Sequence, residues 1–168
     1  MTRSIGLLAS VALALGALAM AGCGEDDEGA AAGAGGGIVS VAEVDGTSVL
    51  VDAQGRTLYT TDVEEGGEIR CVDACTSFWK PVLASPDDAE RAAGELDADL
   101  SVLERPDGEQ QLTFDGLPLY TFTEEGAGQL TGDGFADDFQ GTRFEWEAAR
   151  TDGDSGTRGR GEGGGYGY

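Results

Sequence analysis

Ile38-Val39-Ser40-Val41-Ala42-Glu43-Val44 alternates apolar and polar residues, the two-residue period of a half-buried strand. Asp45-Gly46 is a hairpin turn signal, and Ser48-Val49-Leu50-Val51 reads as the returning strand. Asp52 to Gly55 turns the chain again into Thr57-Leu58-Tyr59-Thr60-Thr61, so the spacing predicts a three-stranded antiparallel meander. Ser85-Pro86-Asp87-Asp88 is a helix start: a capping serine, proline in the first turn, then acids. A helix is predicted from about Pro86 to Ala93, with Gly94 ending it. Further on, Leu100 to Leu103 and Gln111 to Phe114 flank the turn Arg105-Pro106-Asp107-Gly108. Leu117 to Phe122 follows as a strand whose Pro118 has no N–H for a ladder, which predicts an edge or one-sided pairing there. Gly126 to Gly134 reads as a loop, and Arg143 to Ala148 alternates as the last strand. The sum is a mainly β fold, a small antiparallel domain with one short helix.

That domain is written twice. Gly55-Arg56-Thr57-Leu58-Tyr59-Thr60 returns as Gly116-Leu117-Pro118-Leu119-Tyr120-Thr121, with glycine, leucine, tyrosine and threonine at a constant offset of 61 residues. Glu64 and Glu125 keep the same offset. Alternation places Tyr59 and Thr61 on one strand face, and Tyr120 and Phe122 on another. Two arrangements fit: inward-facing rings with each glutamate accepting hydrogen bonds from a turn, or a groove lined by tyrosine hydroxyl and acid. Two tandem repeats over residues 38–150 are expected.

The ends of the chain differ in character. Residues 1–22 combine Arg3, an uncharged apolar run from Ile5 to Ala19 and a small-residue stretch before Cys23, the layout of an export signal. Ala19-Met20-Ala21-Gly22-Cys23 resembles a lipobox, which implies diacylglycerol on the Cys23 thiol and a domain held by membrane lipid at the outer face of the bacterial cell membrane. Residues 23–37 are acidic and then alanine- and glycine-rich, a composition for a flexible tether with a reach of about 20 Å. Residues 151–168 form a glycine-rich tail expected to lack order.

Charge and cysteines narrow the chemistry. The net charge is −22; residues 1–22 carry +1, 23–37 carry −4 and 151–168 carry −1, which leaves −18 on residues 38–150, with 25 acids and 7 bases. Such a surface repels nucleic acid and suits a cation or an envelope protein as partner. Apart from Cys23, the chain holds Cys71 and Cys75, an even pair for which export makes a disulfide the expected state. So short a loop gains only about 2 kcal/mol from the bridge. The chain has no histidine, which removes serine–histidine and cysteine–histidine catalysis and most zinc and copper sites. Cys71 and Cys75 are also one residue further apart than the C-x-x-C of thioredoxin-like sites. Asp133, Asp137 and Asp138 are the weak candidates for a calcium loop, but Asp138 occupies the place where an EF-hand loop needs glycine. No catalytic residue, metal or cofactor is expected beyond the covalent diacylglycerol.

The doubled spacing, the cysteine pair ahead of Trp79, and Leu130-Thr131-Gly132-Asp133-Gly134 ahead of Trp146 resemble a bacterial family of secreted-repeat lipoproteins. That family is described by a Y-x-(F/W/Y)-x-x-D motif and is of unknown molecular function. The resemblance covers about residues 48–148. Tyr120-Thr121-Phe122-Thr123-Glu124-Glu125 has glutamate at the acidic place, and Tyr59 to Glu64 has Thr61 at the aromatic place. The expected function is a non-catalytic binding or interaction module at the cell envelope. The alternative is an accessory in extracytoplasmic redox or metal-ion handling.

Overall fold

Short turns decide the local pairing. The computed structural model describes residues 37–151, so the signal, Cys23, nearly all of the tether and nearly all of the tail lie outside the described residues. β1 (Val39–Val44) and β2 (Thr47–Asp52) form an antiparallel hairpin in which Val41 faces Leu50. Its two-residue loop is Asp45-Gly46, both at positive φ, as a turn that matches strand twist requires. β3 (Leu58–Thr61) leaves that hairpin after a single bridge, Val51 to Thr57, and joins another sheet. The expected meander is therefore a hairpin plus a strand that crosses over. Turn length alone could not show this, because β3 finds a longer ladder elsewhere.

β4 (Trp79–Pro81) is followed by α1 (Pro86–Leu96). Ser85 caps the helix by accepting the Asp88 N–H at 3.2 Å. Gly94 does not end it; the helix runs one turn further, and Asp97 takes the left-handed closing position at φ 50°. Ala89 and Ala92 are buried on its inner face, with Ala93 and Leu96 packed beside them, and this contact outweighs the weak helix preference of one glycine.

β5 (Leu100–Glu104), β6 (Gln110–Phe114) and β7 (Leu117–Pro118) form a three-stranded sheet with β7 at its edge, so Pro118 pairs on one side only, with Thr113. β8 (Tyr120–Phe122) is instead internal to a five-stranded sheet ordered β4-β8-β3-β10-β9. β9 (Ala136–Phe139) and β10 (Thr142–Ala148) complete it. The β9 strand was not expected. It is short and acidic and turns through Gln140-Gly141, both at positive φ, where the sequence lacks the stronger asparagine–glycine or aspartate–glycine signal.

The two repeats complete each other. β3 and β8 pair antiparallel with Tyr59 directly opposite Tyr120, which places a local two-fold axis between two residues that are equivalent by sequence. Trp79 of β4 lies opposite Phe122, and Trp146 of β10 lies opposite Thr61. Beyond the tryptophans, the Val82 N–H donates to the Leu119 carbonyl and the Ala149 N–H to the Leu58 carbonyl. So β4, which follows the first repeat, closes the second, and β10, which follows the second, closes the first. This is an internal strand exchange.

Two cores result. An aliphatic one under α1 contains the equivalent pairs Val39 with Leu100 and Leu58 with Leu119. The other is aromatic, built from Tyr59, Trp79, Tyr120, Phe122, Phe144 and Trp146 with the two cysteines.

Candidate functional site

The motif residues meet on the axis. Each tyrosine reaches the glutamate of the opposite repeat: the Tyr59 hydroxyl donates to Glu125 Oε2 at 2.9 Å, and the Tyr120 hydroxyl to Glu64 Oε1 at 3.1 Å. Both glutamates are buried, Glu64 completely and Glu125 to 7 % exposure. Each then holds the loop that follows it. Glu64 Oε1 accepts the backbone N–H groups of Arg70 and Cys71 at 2.6 and 2.7 Å. Glu125 Oε2 accepts those of Thr131 and Gly132 at 2.9 and 3.2 Å, together with the Thr131 hydroxyl. Arg70 and Cys71 are the counterparts of Thr131 and Gly132 at the 61-residue offset. The glutamates are thus interior clamps for equivalent loops, and the groove arrangement does not form.

Glutamate suits this place because a buried carboxylate gathers several donors onto one oxygen. The other oxygen of each, Glu64 Oε2 and Glu125 Oε1, is buried with no hydrogen-bond partner among the described residues. Burial raises the Glu64 pKa, although the Cys71 and Arg70 N–H groups, the Tyr120 hydroxyl and the Arg105 charge all pull it down. Burial also pushes both tyrosine hydroxyls far above their ordinary range, helped by Glu125 for Tyr59 and by the Glu64 charge for Tyr120.

The interior between the clamps is a row of rings. Phe122, Trp79, Trp146 and Phe144 lie nearly parallel, with successive centroids 4.5, 3.9 and 5.7 Å apart. Tyr59 stands edge-on to Trp79 at 5.5 Å and Tyr120 edge-on to Trp146 at 5.2 Å, again related by the axis. Asp137 joins the two indoles: Trp79 Nε1–H donates to its Oδ2 at 2.8 Å and Trp146 Nε1–H to its Oδ1 at 3.1 Å. The outer strands β4 and β9 therefore approach through side chains, with Phe78 against Phe139 and the Gln140 amide on Asp73.

Asp133, Asp137 and Asp138 are not brought together. Asp133 accepts the Ala148 N–H and pairs with Arg150 at 2.7 Å, Asp137 holds the indoles, and Asp138 lies 3.5 Å from Arg143. Among the described residues no group of three or more acids or cysteines is placed to hold a metal ion. Cys71 and Cys75 are joined in a disulfide with both residues fully buried. Sequence reasoning did not find Trp79, Trp146, Asp137 and Arg105 as a connected interior. Arg105 is buried, donating to the Cys71 carbonyl at 3.1 Å and to the Gln111 side chain.

Among the described residues, two of the surface hollows bear on recognition. One of about 580 Å³ lies between the 65–67 turn and the β5–β7 sheet, lined by Val102, Leu103 and Leu117 among others. A cleft of about 310 Å³ lies between Arg56 and Lys80, with Ile38, Pro81, Val82 and Leu83 in its walls. Arg56 is paired with Asp52 at 2.6 Å. The remaining arginines of the described domain also pair with carboxylates, whereas Lys80 has no acid partner among the described residues. Leu83 beside it is half exposed.

The class this architecture defines is a strand-exchanged double repeat with acidic clamps on its axis. Residues 101–144 match the family model of a secreted repeat of unknown function. The matched segment runs from β5 into β10 and includes Tyr120, Phe122 and Glu125, while Tyr59, Glu64 and both cysteines lie before it. No curated protein and no solved structure matches the chain. A secreted repeat implies an exported protein. Among the described residues no helix is long and apolar enough to cross a membrane.

Proposed function

We propose that the protein is a lipoprotein anchored through diacylglycerol on Cys23, which presents residues 38–150 as a non-catalytic binding module at the outer face of the cell membrane. The observation that carries this reading is the engagement of the motif. Tyr59, Tyr120, Glu64 and Glu125 bond to one another and to loop backbone, so recognition falls to the surface that this rigid interior supports. The cleft beside Lys80 is the best candidate there. On a domain of net charge −18, an unpaired ammonium next to the exposed Leu83 suits an envelope protein that offers a carboxylate and an apolar side chain.

A photo-crosslinking residue at Leu83, compared with one at the exposed Glu90 of α1, tests the binding half in intact cells. A discrete adduct from position 83, absent from position 90 and lost in Lys80→Glu, is expected. Equal labelling from both positions overturns it. Intact mass of the membrane-extracted chain tests the anchor: a start at lipidated Cys23 is expected, and Cys23→Ala releases the protein to the medium. The second reading, extracytoplasmic redox handling, draws its support from the aromatic interior rather than from the buried cysteines.

A further inference from the structure

We propose that the stacked indoles of Trp79 and Trp146, with the two tyrosine–glutamate pairs beside them, form a relay that accepts one-electron oxidation and stores the radical on a buried tyrosine. The oxidant is a small radical, of the carbonate or peroxyl class, that meets the domain outside the cytoplasm. This activity is independent of the binding reading and rests on the interior alone.

Three features of the geometry point to it. The indoles overlap at 3.9 Å with only 12° between their planes, so a positive charge on one is shared by both. Asp137 accepts both indole N–H groups at 2.8 and 3.1 Å; its charge stabilises an oxidised indole and its oxygens can take the proton. Each tyrosine ring lies within 5.5 Å of an indole, and each hydroxyl already donates to a carboxylate. Phenylalanine at positions 59 and 120 would fill the same space but could not take over the radical.

The steps balance. The oxidant takes one electron from the indole pair and becomes its anion, while the Trp79 Nε1 proton moves to Asp137 Oδ2. Tyr59 then gives one electron to the indole radical, which recovers its proton from Asp137. The Tyr59 hydroxyl proton passes to Glu125 Oε2. The net change is one oxidant radical reduced, one tyrosyl radical formed and one glutamate protonated. Tyr120, Trp146 and Glu64 provide the equivalent branch.

Photo-oxidation of the intact disulfide-bonded protein by a ruthenium tris-bipyridine complex with persulfate, followed by transient absorption and freeze-quenched electron paramagnetic resonance, tests the relay. Tyr166 and Tyr168 of the tail are replaced by phenylalanine so that any tyrosyl signal comes from positions 59 and 120. The expected record is an indole radical that decays as a tyrosyl radical rises. In Tyr59→Phe with Tyr120→Phe the tyrosyl signal disappears and the indole radical outlives the parent's about tenfold. Asp137→Asn removes the charge and one of the two acceptors, leaving one indole N–H without a partner, and slows indole oxidation. An indole radical with the same lifetime in the parent and the double variant overturns the proposal. If the double variant does not fold, the Tyr59→Phe and Tyr120→Phe single variants must each lengthen the lifetime. Unchanged lifetimes in both overturn it equally.

Discussion

At the scale of single residues, the interior is set by what may and may not carry an extra atom. A Cβ on Gly132 would lie 2.8 Å from the Tyr59 ring and 3.1 Å from Trp79, because this backbone N–H must approach Glu125 beneath the rings. Gly132→Ala is expected to cost about 1–3 kcal/mol through overpacking. By contrast Gly94 has open space and a helical backbone, so Gly94→Ala should raise stability by about 0.5–1 kcal/mol. Thermal melts of the two variants should move in opposite directions. Glu64 makes a pH prediction. Burial raises its pKa above the ordinary 4.5, so ionising it is harder in the fold than in the unfolded chain. The stability it contributes is full below about pH 4.5 and is lost as pH rises through the raised folded value. Glu64→Gln keeps an acceptor for Arg70, Cys71 and Tyr120 but has no charge to desolvate. The stability of the parent relative to Glu64→Gln should therefore fall as pH rises above 4.5, which denaturant titrations at a series of pH values would measure. A flat difference would mean that Glu64 titrates in the fold as it does in the unfolded chain.

At the scale of elements, the alternating segments and turn residues made β1, β2, β5, β6 and β10 legible, and the serine–proline–acid run marked the start of α1. The 61-residue echo also pointed to the tyrosines and glutamates as equivalent pairs. Their exchange between repeats was hidden, because the closing strands carry no such echo: Trp79 follows Tyr59 by 20 residues and Trp146 follows Tyr120 by 26. The extra six residues lie in the loop and hairpin before β10, so equivalent tryptophans do not align along the chain. Nor does alternation report that β3 and β8 are covered on both faces, since every residue in them is buried. The disulfide was expected from its compartment, and its place explains why it is a local device. The 65–75 loop is held at Arg70 and Cys71 by Glu64 and again at the Cys71 carbonyl by Arg105. Replacing Cys71 and Cys75 by serine should leave a folded domain that is less stable by about 2 kcal/mol, read from the shift of the denaturant midpoint at unchanged slope. A change in slope would mean that the loop unfolds separately.

At the scale of the whole molecule, strand exchange makes the two repeats one cooperative unit. β10 supplies Phe144, Trp146 and Ala148 to the aromatic core, pairs with β3 along Tyr59 to Thr61, and leads into Arg150, which bridges Val49 of β2. Removing it takes from β3 its partner on one side, leaves β9 without its ladder, and removes half of the indole pair. The damage does not stop there, because Trp79 then loses its stacking partner and Glu64, which lies just past β3, loses the frame that aims it at Tyr120 in the second repeat. A chain ending at Gly141 is therefore expected to lose its entire unfolding transition rather than half of it, although β1 to β9 are intact in sequence. A synthetic peptide of residues 142–151 added in trans should restore the transition, since the strand joins through an ordinary antiparallel ladder and apolar burial. Circular dichroism melts of the shortened chain with and without the peptide would measure both effects. If the shortened chain melts cooperatively on its own, with Tyr120 still sheltered from solvent, the repeats are separate folding units, and the tyrosine–glutamate exchange joins two domains already complete.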